Sequence, residues 1–166
     1  MRMNLRSLSI ALGAAVLATG CATVPNIPGT RVEDTRINRN VLEVCEAYRH
    51  ALEDRDADTL VGLASKDYFE DSGTPKAEDD YGYEGLRQVI STRLAALKSV
   101  RYNIDYRGMK QSSERVVRGT RVAVDIRYDA SYQIATELGD RWERKQNEKR
   151  MELEWDGQKW LFVAGM

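Results

Sequence analysis

The chain has 166 residues, 42% hydrophobic and 31% charged, with 12 Gly and 3 Pro, which fits one globular domain and excludes a disordered or collagen-like chain. Lys and Arg number 25 against 26 Asp and Glu, so a net charge of -1 argues against a nucleic-acid or polyanion binder. One His and two Cys, with no CxxC pair, leave almost no material for a zinc site, and neither metal nor cofactor is expected.

Residues 1–20 read MRMNLRSLSIALGAAVLATG. Arg2 and Arg6 make a positive start, and residues 8–18 form an apolar run broken only by Ser9 and Gly13. That run is too short to cross a hydrocarbon core of roughly 30 Å, which takes about 20 helical residues, and it reads as a secretory signal. The small residues Ala18, Thr19 and Gly20 then precede Cys21. The stretch LATGC resembles the lipobox of bacterial lipoproteins, with Leu17 one place earlier than usual. The resemblance implies a diacylglycerol on the Cys21 thiol, cleavage before Cys21 and acylation of the new amine. Three acyl chains, each contributing roughly 0.8 kcal/mol per buried CH₂, anchor a protein in a membrane for good. Ala22 replaces the Asp that holds enteric lipoproteins at the inner membrane, so the periplasmic face of the outer membrane is the expected location. Plain export, with Cys21 an incidental thiol, is the alternative.

Residues 22–36 hold Pro25, Pro28 and Gly29 and show no periodicity. The expected organisation is a signal peptide over 1–20, a flexible tether over 21–36 and one domain over 37–166. Ile37, Val41, Val44, Cys45, Tyr48 and Leu52 fall at helical spacing and predict an amphipathic helix over 38–53. Cys45 lies on its apolar stripe as a small buried hydrophobe, and His50 lies on the opposite face. Asp56 or Asp58 can cap a short second helix through Leu60, Val61, Leu63 and Ala64. Tyr68 and Phe69 suggest a short strand, and 85–97 returns to helical spacing.

The period then becomes two. Val100, Tyr102, Ile104 and Tyr106 alternate with polar residues, as do Val122, Val124, Ile126, Tyr128, Ala130, Tyr132 and Ile134. Met151, Leu153 and Trp155 end a third strand before the turn signal Asp156-Gly157. Trp142 has the wrong parity for that set, which suggests a bulge or a strand beginning after it. Residues 160–164 are apolar on both faces, as in a central or partner-covered strand. The layout is α+β, three N-terminal helices packed on a curved antiparallel sheet.

The segments AYRHALEDRDADTLVGLASKDYFED (47–71) and YGYEGLRQVISTRLAAL (81–97), with the strands after them, resemble the nuclear-transport-factor-2-like superfamily and its SnoaL-like and ketosteroid-isomerase-like branches. The resemblance implies a sheet wrapped into a cone with an open pocket, in which the family's enzymes place an Asp, His or Tyr as base or electrophile. Asp71, at the end of the first strand, is the one carboxylate whose position could match such a pocket acid, against a turn or capping role. Asp105, Asp125 and Asp129 point away from the apolar face by parity, and Tyr102, Tyr106, Tyr128 and Tyr132 share that face and are candidates to line the pocket. The alternative is four core tyrosines with their hydroxyls at the rim.

Seven acids between Asp67 and Glu84 lack the spacing of a calcium loop, and the mixed charges over 137–150 read as a solvated strand edge. No GxSxG, HExxH or P-loop pattern occurs. The preferred reading is a non-catalytic envelope protein, lipid-anchored at Cys21, that binds a small apolar ligand or a protein partner; a homodimer through the sheet is left open. The alternatives are a SnoaL-like hydrolase, isomerase or dehydratase using Asp71 with a pocket Tyr, and an accessory subunit of an envelope assembly.

Overall fold

A computed structural model describes residues 24–71 and 77–166. The signal segment, Cys21 and the 72–76 part of the acidic loop lie outside the described residues.

Among the described residues the longest helix, α1 (Arg36–Asp54), starts at Thr35, whose hydroxyl accepts from the Asn38 N–H at 3.1 Å. Its apolar stripe buries Val41, Cys45 and Tyr48, as the periodicity predicts, and His50 is exposed. The short α2 (Ala57–Leu63) is capped by Asp56, whose carboxylate accepts from both the N–H and the hydroxyl of Thr59, at 2.9 and 2.6 Å. Two short strands, β1 (Phe69–Glu70) and β2 (Tyr81–Gly82), pair with each other before α3 (Tyr83–Ala95). The main sheet follows as β3 (Leu97–Gln111), β4 (Arg121–Thr136), β5 (Gly139–Trp155) and β6 (Trp160–Ala164), all antiparallel in the order β3-β4-β5-β6. The helices pack on one face of this sheet, so the α+β expectation holds. Irregularities at Leu97/Ser99 and Tyr106/Gly108 in β3 give the bends that curve a sheet.

Three expectations need correction. β4 and β5 pair from Arg121↔Glu154 to Thr136↔Gly139 with no register shift, so there is no bulge near Trp142 and β5 begins before it. Trp142 simply faces outward, 45% exposed, beneath the guanidinium of Arg101 at 4.9 Å. β6 is not central. It is an edge strand whose free side is covered by the chain itself, through a parallel bridge from Ala64 to Phe162 and a 2.8 Å hydrogen bond from Ser65 N–H to the Phe162 carbonyl.

The tether is the third. Pro28 and Gly29 (φ +78°) fill the middle of a turn closed by Thr30 N–H donating to the Ile27 carbonyl at 3.0 Å. The arms on either side pair at Asn26↔Glu33, and the Arg31 N–H donates to the Tyr106 carbonyl at 3.0 Å. Val32 is 1% exposed within the core. One buried valine and a Pro-Gly turn are too short a signal for a periodicity argument, which is why the segment reads as extended from sequence.

Brief trypsin digestion should therefore spare Arg31 in the native chain and cut there after Val32→Asp, which expels the arm from the core. A native chain cut at Arg31 as fast as the variant would contradict the packed turn.

Candidate functional site

The unbroken β4–β5 register sets the inner face of the sheet by parity alone. Going back from Leu153 and Met151, alternate residues on β5 are Lys149, Asn147 and Lys145, opposite Ile126, Tyr128 and Ala130 of β4. The inner face thus changes from wholly apolar at one end to tyrosine and lysine at the other. Over that second end lie the C-terminal half of α1, α2 and α3, and between them is a cavity of about 520 Å³. Its size falls within the range of small-ligand pockets.

Tyr48, Tyr81, Tyr102, Tyr128 and Tyr132 line the cavity, with Leu52, Leu60, Leu86, Val89, Ile90, Leu94, Leu97 and Ile134. Tyr102 and Tyr128 stack with centroids 5.3 Å apart and planes 13° from parallel, and Tyr48 meets Tyr102 edge-on at 6.1 Å. Tyr81 stacks on Tyr68 at 6.5 Å. It fits there because residue 85 is glycine: a Cβ at that position would stand 2.6 Å from the Tyr81 Cβ. Burial raises Tyr48, Tyr81, Tyr102 and Tyr132 above the usual phenol range, so these hydroxyls stay protonated at neutral pH and can donate.

Three cations join the lining: Arg93 from α3, and Lys145 and Lys149 from β5. Lys149 is half-buried, and its ammonium donates to the Tyr48 hydroxyl at 3.2 Å, 5.2 and 5.7 Å from the ring centres of Tyr48 and Tyr128. Arg93 and Lys145 are exposed and mark the mouth. Among the described residues, the lining holds no carboxylate side chain and no imidazole.

The sequence candidates divide accordingly. Tyr102, Tyr128 and Tyr132 border the cavity, but Tyr106 does not. The Tyr106 hydroxyl donates to Glu46 at 2.7 Å, within a network where Arg49 binds Glu46 and Glu53, both at 2.7 Å, and Glu53 accepts from the Tyr102 N–H at 2.9 Å. Burial alone would raise Glu46, but bonds from Arg49 and Tyr106 outweigh it and hold the carboxyl below its usual range. Tyr106 therefore clamps α1 onto β3. Asp71 is exposed and is not among the lining residues. In the two-residue β1 it is Glu70 that turns in, accepting from the Tyr68 hydroxyl at 2.9 Å and the Gly165 N–H at 3.0 Å, and Asp71 follows just past the strand. Asp105, Asp125 and Asp129 do face away: Arg150 pairs with Asp125 at 2.8 Å and Arg144 with Asp129 on the outer face. Hydrogen bonds from Arg144 and Gln146 hold Asp129 well below the usual carboxylate range, at about 2.

Sequence reasoning missed Tyr48, Tyr81 and the cations. The signal for Lys145 and Lys149 was present, because stepping back by twos from Met151 lands on both.

No family model matches the sequence. No curated protein matches it either. Among solved structures the chain is similar to a candidate scytalone dehydratase from Novosphingobium aromaticivorans, with TM-score 0.61 and 10% identity over 77% of this chain and 80% of that one. It is similar to Aln2 from a Streptomyces species, with TM-score 0.56 and 12% identity over 81% and 91% of the two chains. A third is a candidate dehydratase of the nuclear-transport-factor-2-like family from Streptomyces avermitilis, with TM-score 0.55 and 13% identity over 76% and 91%. At these identities the likeness is one of fold, and the fold is the nuclear-transport-factor-2-like cone.

Urea melts separate the two faces of β4. Tyr128→Ala should cost roughly 3 kcal/mol, the scale for truncating a buried aromatic, and Tyr128→Phe much less. Asp125→Asn and Asp129→Asn, in exposed pairs, should leave the midpoint almost where it was. A silent Tyr128→Ala beside a costly aspartate would invert the faces.

Proposed function

We propose that this chain, built on the nuclear-transport-factor-2-like cone, is a non-catalytic binding protein of the cell envelope whose cavity takes a small ligand with an apolar, planar body. The observation that carries this reading is the cavity wall: five tyrosines and a set of aliphatic side chains enclose a ligand-sized volume, and the polar groups they present are hydroxyls and cations. Stacked rings offer flat apolar area at little entropic cost, and their protonated hydroxyls select for a few polar atoms on the guest. General acid–base work needs a group that gives up and regains a proton near neutral pH, and burial moves these phenols away from that range.

The anchor belongs to the same proposal. A lipid on Cys21 would hold the domain at the periplasmic face of the outer membrane, close to a source of apolar ligands. Among the described residues no helix is long and apolar enough to cross a membrane.

A second reading is favoured by the likeness to candidate dehydratases. In a SnoaL-like enzyme of this shape, the available polar pair is the Tyr48 hydroxyl with the Lys149 ammonium, which could polarise a substrate oxygen. Asp71, exposed and outside the lining, does not serve that reading.

Titration calorimetry of the full chain with 2-naphthamide, a neutral planar probe, tests the binding reading. One saturable site is expected, lost in Ile90→Trp, which fills the cavity from α3. Absent binding, or binding indifferent to Ile90→Trp, would overturn it. The anchor is tested alongside: labelled palmitate should enter the native chain and not Cys21→Ser, and label in the variant would sink the lipid assignment.

A further inference from the structure

The cavity is apolar in its walls, and the charged side chains among its lining residues are all cations: Arg93, Lys145 and Lys149. Lys149 reaches in from β5 beside the Tyr48 hydroxyl, 5.2 and 5.7 Å from the ring centres of Tyr48 and Tyr128, and among the described residues one of its three N–H bonds is directed at a protein acceptor, that hydroxyl at 3.2 Å. Arg93 and Lys145 stand at the mouth. Among the described residues none of the three makes an ion pair, although exposed cations elsewhere on the sheet do: Arg150 is paired with Asp125, Arg144 with Asp129 and Arg121 with Glu154. On the outer face these three arginines are matched by acids, whereas the charged side chains among the cavity's lining residues are all cations. Cations gathered in an apolar cleft with no acidic side chain in its lining attract an anion, and low-dielectric walls strengthen the attraction.

Resting on the binding reading above, we infer that the ligand is an organic anion: a planar or otherwise apolar body seated among the tyrosines, with a carboxylate or similar singly charged oxyanion directed at Lys149. The ammonium has unspent donors at the tyrosine floor, so the anionic group goes in with the body rather than remaining in solvent. Arg93 and Lys145 then act on approach, drawing the anion to the mouth. A polyphosphate fits less well, since a single lysine at this depth offers neither a guanidinium fork nor a helix N-terminus.

The test compares 2-naphthoate with 2-naphthamide, two probes of nearly the same shape that differ in charge, by calorimetry on the full chain. The carboxylate should bind roughly tenfold or more tightly, the scale of one charge-assisted hydrogen bond, and the preference should shrink as salt is raised. In Lys149→Met, of similar volume, the ratio of the two affinities should fall toward one, and in Lys145→Gln it should fall part of the way. Arg127→Met makes the same change of net charge on the opposite face and should leave the ratio intact. Should Lys149→Met fail to fold, the Lys145→Gln ratio and the salt dependence still decide. Equal binding of both probes to the native chain would overturn the anion inference and leave the binding reading standing. Binding of neither would overturn both, and a preference that survives in Lys149→Met and Lys145→Gln would place the anion elsewhere.

Discussion

The structure depends on the unbroken pairing of β4 with β5, which runs from Arg121↔Glu154 to Thr136↔Gly139 in a single register. Because side chains alternate strictly across a sheet, one such ladder assigns every residue of both strands to a face, and a slip by one would exchange the faces entirely. Val122 and Val124 then meet Leu153 and Met151 in the core, Ile126 meets Lys149, and Tyr128, Ala130 and Tyr132 meet Asn147, Lys145 and Glu143 further along. The first half of the hairpin has a fully apolar inner face and closes against helices. The second half does not, and the helices over it leave a cavity. Its position is therefore a consequence of where the apolar run in β5 stops.

α1 makes that arrangement rigid. Its Glu46–Arg49–Glu53 network reaches across to the Tyr106 hydroxyl and the Tyr102 backbone, satisfying part of the exposed edge of β3 and fixing the helix along the strand. Tyr48 on the same helix is consequently held edge-on to Tyr102, tilted against Phe162 at 5.4 Å and within hydrogen-bond reach of Lys149. A lysine among electron-rich aromatic rings gains from them and buries its stem against them, which lets a cation stay on the inner face with no ion pair among the described residues.

Much of the fold was legible because its elements are long and regular. The stripe from Val41 to Leu52 and the alternation from Val122 to Ile134 each repeat often enough to identify helix and strand. The packed N-terminal turn was not legible, since a single buried Val32 has no period. Neither was the edge position of β6, because apolar residues on both faces look alike whether a neighbouring strand or a returning segment such as 64–70 covers them. The site was legible in part. Parity placed Tyr102, Tyr128 and Tyr132 on the inner face, but it cannot tell how far along the sheet the cavity extends, and Tyr106 proved to be on the clamped side of it. The same parity would have placed Lys145 and Lys149 inside, had the odd spacing of Trp142 been read as an outward residue in a regular strand rather than as a bulge or a later strand start.

Fold and site together describe a cone whose closed end is hydrocarbon and whose accessible end is phenol and ammonium. Guests should enter this second end and nowhere else. Ring signals of the eight tyrosines, observed by NMR on ring-labelled protein during titration with 2-naphthamide, test this most directly. Shifts confined to Tyr48, Tyr81, Tyr102, Tyr128 and Tyr132, with Tyr106 and Tyr83 unmoved, are the predicted result. Movement of Tyr106 or Tyr83 with the Tyr102–Tyr128 pair unchanged would contradict it.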